Sequence, residues 1–197
     1  EVDIISGEEE GVLTSVGVLN SLGRLENFLI VDIGGRSTEF IYDDDKKIVS
    51  KSLNVGVVSL SELFFNELPP SEKSVLSAQE FIKSNLFESN IFGGRILVGV
   101  AGTFTSLASI FLKQTQFNEK EIHLTELKNE DVLKINEELL HLTEPQIITK
   151  YKGLDPKRAK TIQAGILLAK EIISKYNVNS IKVSNSDILE GLILKKY

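Results

Sequence analysis

The segment Phe28–Ile33 constrains the fold of this chain more than any other part of the sequence. It is a continuous apolar run with a single carboxylate, Asp32, and it ends at the glycine pair Gly34-Gly35. Runs of this kind are typical of β-strands that are buried on both faces of a sheet. A sheet that is buried on both faces needs helices on each side, so the sequence predicts an α/β fold.

Four further strands are predicted. Two follow directly as an antiparallel hairpin, Thr38–Tyr42 and Ile48–Leu53. The other two, Ile96–Val100 and Ile181–Val183, come after helices and therefore pair in parallel. A short strand is also predicted at Val2–Ile5, followed by a helix that Ser6 caps and that ends near Leu22. The remaining predicted helices are Val58–Asn66, Ser71–Phe87, Phe104–Leu112, Glu130–Leu142, Pro156–Tyr176 and Asp187–Lys196, the last capped by Ser186. This order is that of the ribonuclease H/actin-like ATPase fold, a mixed five-stranded sheet with helices on both faces, and we expect residues 1–197 to form one domain.

The composition excludes several classes of function. A chain of 197 residues without cysteine has no disulfide, no thiolate nucleophile and no cysteine-bound metal. Its net charge of −6 argues against nucleic-acid binding and disfavours a long polyanionic substrate. No apolar run approaches the roughly 20 residues that cross a bilayer. We therefore expect a cytoplasmic protein that binds neither nucleic acid nor membrane.

Two carboxylates in the segment Val31–Phe40 predict a metal site. Asp32 stands at the end of the buried strand, where the sheet edge meets water, and Glu39 returns to the same edge after a tight reversal. Two such acids are expected to flank one Mg²⁺, which keeps several of its waters when proteins bind it.

The residues between these acids predict a phosphate loop. Gly34 and Gly35 allow the chain to reverse and bring backbone N–H groups close to an anion, and Ser37 and Thr38 add hydroxyl donors. An ordinary hairpin with polar turn residues is the alternative. Two glycines, two hydroxyls and two acids within eight positions favour the phosphate loop over that alternative.

This octet, Asp-Ile-Gly-Gly-Arg-Ser-Thr-Glu, resembles the phosphate motif in the second domain of the exopolyphosphatase/guanosine pentaphosphate phosphohydrolase family. Other segments resemble further motifs of the same family, in the same order along the chain: Ile5–Glu10, Asn54–Val58, Val100–Leu107 and Ser184–Gly191. Because these matches span nearly the whole sequence, the chain is identified as a member of this family.

The resemblance implies a Mg²⁺-dependent hydrolase that removes a terminal phosphate from polyphosphate or from guanosine pentaphosphate. Glu10 falls on the family's catalytic glutamate, which is proposed to activate the attacking water. Without the resemblance, Glu10 would be read as an acid that complements a helix dipole. Asp32 and Glu39 fall on the acids of the metal and phosphate site. The phosphate loop falls on Gly34, Gly35, Ser37 and Thr38.

Three further features of the sequence are candidates for contact with a phosphate. Arg36 stands where the family usually has a third glycine, and it either clamps a phosphate or crowds the loop; we favour the clamp. Gly102 and Thr103 are predicted to offer helix N–H groups to a phosphate, with an ordinary helix start as the alternative. The cluster at residues 157–160, with two lysines and Arg158, is more simply a solvated face than a polyanion contact.

The family's first domain carries its own phosphate loop, which this sequence lacks. The chain begins with Glu1 and contains no methionine, so we expect a piece of a longer protein. Its missing N-terminal domain would complete the cleft, and the chain alone would have little or no activity. A homodimer is left open. Two other functions are also left open: a non-catalytic module that binds an alarmone or nucleotide, which Arg36 supports, and a relative of the sugar or acetate kinases, which Ser6–Glu10 disfavours.

Overall fold

The computed structural model describes residues 5–23, 26–45, 47–88, 92 and 94–196. Its strands are β1 Phe28–Ile33, β2 Thr38–Asp44, β3 Lys47–Leu53, β4 Ile96–Val100, β5 Glu126–Lys128 and β6 Ser180–Val183. Its α-helices are α1 Gly7–Leu22, α2 Val57–Phe64, α3 Glu72–Asn85, α4 Ala101–Phe111, α5 Glu119–Ile122, α6 Asn129–Leu139, α7 Glu144–Lys150, α8 Ile162–Lys175 and α9 Ile188–Lys196. The strand predicted at Val2–Ile5 lies outside the described residues except for Ile5, which directly precedes the cap of α1.

The strands form one mixed sheet in the order β3-β2-β1-β4-β6-β5. β1, β2 and β3 pair antiparallel, whereas β1, β4 and β6 pair parallel, as the sequence predicts. The predicted strand count was wrong, because the described sheet has six strands and not five. The additional strand, β5, is only three residues long and pairs antiparallel with β6 at the edge. Such a short polar segment carries no periodic pattern that a sequence would reveal.

Two helix predictions need correction. The predicted helix Pro156–Tyr176 is divided into a 3-10 helix at Pro156–Arg158 and α8, which begins at Ile162. Asp155 caps the 3-10 helix by accepting a hydrogen bond from the N–H of Lys157. The last helix is capped by Asp187 and not by Ser186, because an Asp187 carboxylate oxygen accepts a hydrogen bond from the N–H of Leu189 at 2.8 Å. Within the described residues, no helix has both the length and the apolar character that crossing a bilayer requires.

The alternation of side chains along β1 divides the core into two layers. Leu29, Val31 and Ile33 belong to the larger core, which includes residues of α4, α6 and α8. Phe28 and Ile30 face the other way and pack with Val18 and neighbouring residues of α1. Because side chains alternate between the faces of a strand, Asp32 lies on the face that α1 covers. The larger layer therefore lies opposite the carboxylate.

Helices α1 and α9 pack against each other through glycines. A β-carbon added at Gly17 would overlap the carbonyl oxygen of Asp187 and lie 2.9 Å from the nitrogen of Gly191. A β-carbon added at Gly191 would overlap the backbone of Leu13 in the same way. The two backbones therefore approach more closely than any larger residue permits, and this contact fixes Asp187 beside α1.

We predict that Gly17→Ala destabilises the chain, because its methyl group must displace backbone atoms at the start of α9. The expected loss is about 2–3 kcal/mol of unfolding free energy, as for overpacked core positions. Gly7→Ala in the same helix is the matched control, because a β-carbon at Gly7 has no atom within 4 Å. Denaturant unfolding of both variants measures the difference. Equal stability of the two variants would contradict the close approach of α1 and α9.

Candidate active site

The carboxyl ends of the parallel strands meet at one edge of the sheet, and the motif residues lie at this edge. Asp32 in β1 is directly opposite Glu39 in the antiparallel strand β2. On its other side Asp32 is level with Val100, the last residue of β4. The strand register therefore brings Asp32 and Glu39 to the same rim of the sheet, as the sequence predicts.

Asp32 lies in a strongly negative environment. Burial first, and then the neighbouring carboxylates of Glu39, Asp187 and Glu10, raise the pKa of its carboxyl group to about 7. Glu10 reaches this place from α1, and Asp187 from the start of α9. The structure thus brings the predicted Glu10, Asp32 and Glu39 together and adds Asp187. The sequence signal for Asp187 was its position between the last parallel strand and the last helix.

The other three acids differ in how they are held. Glu39 accepts a hydrogen bond from the hydroxyl of Ser52 at 3.0 Å, and Asp187 caps α9. Glu10 is exposed, and within the described part of the chain its carboxylate has no hydrogen-bond or ion-pair partner. Glu10 is therefore the acid of this group that is free to contact solvent.

The acidic group offers ligands that suit a hydrated divalent cation, but it does not form a complete metal site by itself. Among the described residues, no three acids or histidines converge in a metal-binding arrangement. Asp32 and Glu39 offer the oxygen ligands that Mg²⁺ prefers, and Mg²⁺ commonly binds through one or two carboxylates and several waters. Burial and then the neighbouring carboxylates raise the pKa of Asp32, and a bound cation would offset the repulsion among these carboxylates.

The glycine loop is anchored by its carbonyl groups. The N–H of Gly34 donates to the carbonyl of Ser37 at 2.9 Å, and the carbonyls of Gly34 and Gly35 accept from the first N–H groups of α2. Gly56 makes this contact sterically feasible, since a β-carbon there would lie 2.6 Å from both the nitrogen of Arg36 and the carbonyl oxygen of Gly34. Within the described residues, the N–H groups at positions 35–37 donate to no protein acceptor. They remain available to an anion.

The hydroxyl group of Thr38, which the sequence predicts as a phosphate donor, and that of Thr103 both donate to carbonyl groups within the protein. Thr38 is fully buried, and its hydroxyl donates to the carbonyl of Val55 at 2.7 Å. It points away from the acids because it neighbours Glu39 in the strand and faces the opposite side of the sheet. Thr103 is also buried, and its hydroxyl donates to the carbonyl of Ile33, which ties α4 to the end of β1.

Arg36, which the sequence predicts as a phosphate clamp, is paired with a carboxylate in this structure. Its guanidinium group donates two hydrogen bonds to the carboxylate of Glu62 on α2, at 3.2 and 3.1 Å. The two side chains are 70% and 56% exposed. An ion pair this exposed contributes about 0–1 kcal/mol and is easily exchanged for another partner.

Arg158 lies next to the glycine loop. A cavity of about 270 Å³ lies between the loop and the turn from β4 into α4, and Arg158 forms part of its wall. Its guanidinium group covers Gly102, where a β-carbon would overlap it, and donates to the hydroxyl of Ser106 at 3.2 Å. Within the described residues it pairs with no carboxylate. Its sequence context, a short basic cluster, did not distinguish it from solvated lysines.

The comparison with family models decides the relationship of this chain to known proteins. The model of the Ppx/GppA phosphatase family matches residues 1–197. The chain belongs to the Ppx/GppA phosphatase family. The resemblance noted in the sequence is thereby confirmed.

Similar proteins include members of this family that carry different names. The chain is 36% identical to a bifunctional 3-dehydroquinate synthase/phosphatase of Fusobacterium nucleatum, over 99% of the chain and 30% of that relative. It is 29% identical to exopolyphosphatase 2 of Mycobacterium tuberculosis, over 98% of the chain and 63% of the relative. It is 30% identical to guanosine-5'-triphosphate,3'-diphosphate pyrophosphatase of Vibrio cholerae, over 98% of the chain and 38% of the relative. The chain thus spans less than two thirds of the length of these Ppx/GppA relatives.

Solved structures of the family confirm the fold. The Ppx/GppA protein of Aquifex aeolicus has a TM-score of 0.91 at 27% identity, over 99% of this chain and 64% of that one. An exopolyphosphatase from Cytophaga hutchinsonii has a TM-score of 0.86 at 23% identity, which supports the fold alone.

We predict that Asp32→Asn makes the chain more stable at high pH and leaves its stability unchanged at low pH. The folded pKa of Asp32 is about 7 and the ordinary value is 3.8, so the folded state binds this proton more tightly. The stability of the folded chain therefore falls as pH rises from about 4 to 7, because over this range the unfolded chain loses the Asp32 proton and the folded chain keeps it. Asparagine cannot ionise, and we expect the variant to gain on the order of 3 kcal/mol above pH 7.

Denaturant unfolding in EDTA at about pH 4 and about pH 8 measures this difference. Asp45→Asn is the control, because Asp45 lies in the exposed turn after β2. If Asp32→Asn changed stability by the same amount at both pH values, the raised pKa of Asp32 would be disproved.

Proposed function

We propose that this chain forms one half of the active site of a Mg²⁺-dependent phosphohydrolase that removes the terminal phosphate from polyphosphate or guanosine pentaphosphate. One observation carries the proposal. At a single edge of the sheet, the end of β1 has a group of carboxylates on one side and a cavity lined by a glycine loop and Arg158 on the other. Relatives named for both substrates support the two candidates.

The cavity beside the glycine loop suits the terminal phosphate. Phosphoryl transfer requires mainly that the charge on the phosphate oxygens be neutralised and that the nucleophile be oriented. The free N–H groups at positions 35–37 and the guanidinium group of Arg158 supply donors to those oxygens. Arg158 is better suited than a lysine, because its planar fork donates two parallel hydrogen bonds to a phosphate.

Asp32 and Glu39 would hold the Mg²⁺ ion, with water completing its coordination. When bound, the ion supplies positive charge that offsets the repulsion between these carboxylates and an incoming phosphate. Asp187 adds negative charge to the same place and strengthens the attraction for the cation.

Glu10 would act as the general base. In the proposed reaction, a water oxygen attacks the terminal phosphorus and its proton passes to the Glu10 carboxylate. The bond between that phosphorus and the bridging oxygen breaks, and the bridging oxygen stays with the shortened substrate. Exposure and the lack of a partner within the described residues leave the Glu10 carboxylate free to accept this proton.

A second domain is part of the proposal. The chain spans only 30–63% of the three relatives compared, which supports a further domain, and the family resemblance implies that a preceding domain carries another phosphate loop. That domain would close the cleft over the glycine loop. The non-catalytic nucleotide module is less well supported, because Arg36, its only sequence support, is paired with Glu62.

We predict that Glu10→Gln abolishes phosphate release while leaving substrate binding intact. The measurement is Mg²⁺-dependent release of phosphate from polyphosphate and guanosine pentaphosphate by the longer protein that includes the preceding domain. Loss of a general base typically lowers kcat by about 10²–10⁴-fold. Glu8→Gln is the matched control, an exposed acid in the same helix turn. Full activity of Glu10→Gln would reject the assigned role, and robust release by residues 1–197 alone would reject the need for a second domain.

We also predict that Arg158→Gln raises KM, because it removes the positive charge beside the glycine loop. Loss of a charged hydrogen bond to a phosphate corresponds to about 1.5–3 kcal/mol, or about 10- to 100-fold in kcat/KM. Lys157→Gln, at the neighbouring exposed position, removes the same charge and is expected to have a small effect. If both variants behaved alike, Arg158 would be only one member of a solvated basic cluster.

A further inference from the structure

Arg36 is the residue of the glycine loop whose side chain carries a charge. Its backbone N–H is among the loop donors that have no protein acceptor within the described residues. The backbone here is held against the start of α2, since a β-carbon at Gly56 would lie 2.6 Å from the nitrogen of Arg36. The side chain, in contrast, is mostly exposed. A phosphate bound by the N–H groups of this loop would therefore lie beside the residue that carries the guanidinium group.

The carboxylate of Glu62 on α2 holds that guanidinium group in this structure. Two nitrogens of Arg36 donate to the two carboxylate oxygens of Glu62, at 3.2 and 3.1 Å. Arginine binds a phosphate through the same bidentate arrangement. The same two donors cannot serve a carboxylate and a phosphate at once. Glu62 is therefore positioned to compete with a phosphate for Arg36.

The hold of Glu62 on Arg36 is weak enough for a phosphate to break. Both side chains are exposed, and an exposed ion pair changes an equilibrium constant by at most about fivefold. A terminal phosphate group carries about 1.5 to 2 negative charges near pH 7, whereas a carboxylate carries one. Glu62 also lines a cavity of about 530 Å³ whose wall includes Lys160, so a positive charge remains in its surroundings when Arg36 leaves.

We propose that Arg36 exchanges its Glu62 partner for the phosphate that enters the glycine loop, and that Glu62 thereby lowers the affinity of the free site for phosphate. This inference rests on the proposed function and gives the same phosphate a second guanidinium group besides that of Arg158. The two arginines come from different elements, Arg36 from the loop between β1 and β2 and Arg158 from the 3-10 helix. Glu62 is then a residue that sets affinity without contacting the substrate.

The kinetic test uses the longer protein with its preceding domain and tripolyphosphate as the substrate. We expect Glu62→Gln to lower KM by about two- to fivefold, because the competing carboxylate is removed. We expect Arg36→Gln to raise KM about tenfold, because a charged hydrogen bond to the phosphate is lost. Glu67→Gln is the matched control, since Glu67 is an exposed acid that follows α2 and forms no ion pair within the described residues. It should leave KM nearly unchanged.

The double variant separates competition for Arg36 from simple repulsion. Glu62→Gln also removes a negative charge from the neighbourhood of the phosphate, and this effect does not require Arg36. We therefore expect Glu62→Gln to lower KM clearly less in an Arg36→Gln background than in the wild type. An equal lowering in both backgrounds, or an Arg36→Gln variant with the KM of the wild type, would overturn the exchange.

Arginine side-chain NMR follows the exchange without turnover. In a Glu10→Gln background of the longer protein, isotope-labelled arginine gives a guanidinium signal for Arg36, which is assigned by its loss in Arg36→Gln. This signal should shift when tripolyphosphate is added, and Glu62→Gln should reach the same end point at a lower concentration. A signal that stays unchanged at high tripolyphosphate concentration would overturn the proposal. Absence of hydrolysis of every substrate by the wild-type protein would instead reject the proposed function, and the NMR titration would still decide the exchange.

Discussion

The reversal of the chain between β1 and β2 is the constraint on which the rest of this site depends. The carbonyls of Gly34 and Gly35 bind the first N–H groups of α2, and Gly56 allows the two backbones to touch. This anchoring sets the register in which Asp32 lies opposite Glu39. A shift of β2 by one residue would turn Glu39 towards the larger apolar core and away from Asp32, because neighbouring strand residues face opposite sides. Loop, register and acidic group are thus consequences of one backbone arrangement.

The end of β1 separates two electrostatic environments. On the α1 face, burial and three further carboxylates raise the pKa of Asp32. Beyond the glycine loop, free N–H groups and Arg158 form a positive pocket. A phosphate together with a cation presents both signs of charge, and such a pair matches this division. In the proposed site, neither side alone would bind a phosphate together with its cation, since the acids would repel a bare phosphate and the pocket would not bind a metal.

The sequence predicted the elements whose pattern is local and failed where tertiary contacts decide. Phe28–Ile33 and Ile96–Val100 were predicted to the residue because each is an apolar run that ends at a sharp turn. The Thr38 hydroxyl was misplaced, since its burial depends on which face of the sheet is covered by the larger core. The position of Arg158 beside the glycine loop was not predicted for a similar reason. Its contact with Gly102 joins residues more than fifty positions apart, and no local pattern encodes such a contact.

The net charge of the chain is a poor guide to the substrate, because charges act locally. At physiological salt, exposed charges are screened over about 8 Å, so a phosphate in a cavity responds mainly to the groups that line it. The acids around Asp32 and the cavity that Arg158 lines lie on different sides of the end of β1. In the proposed site, a cation would be attracted by the carboxylates and the oxygens of a phosphate by Arg158. The acidic balance of the whole sequence therefore says little about the charge that a phosphate would meet in this cavity.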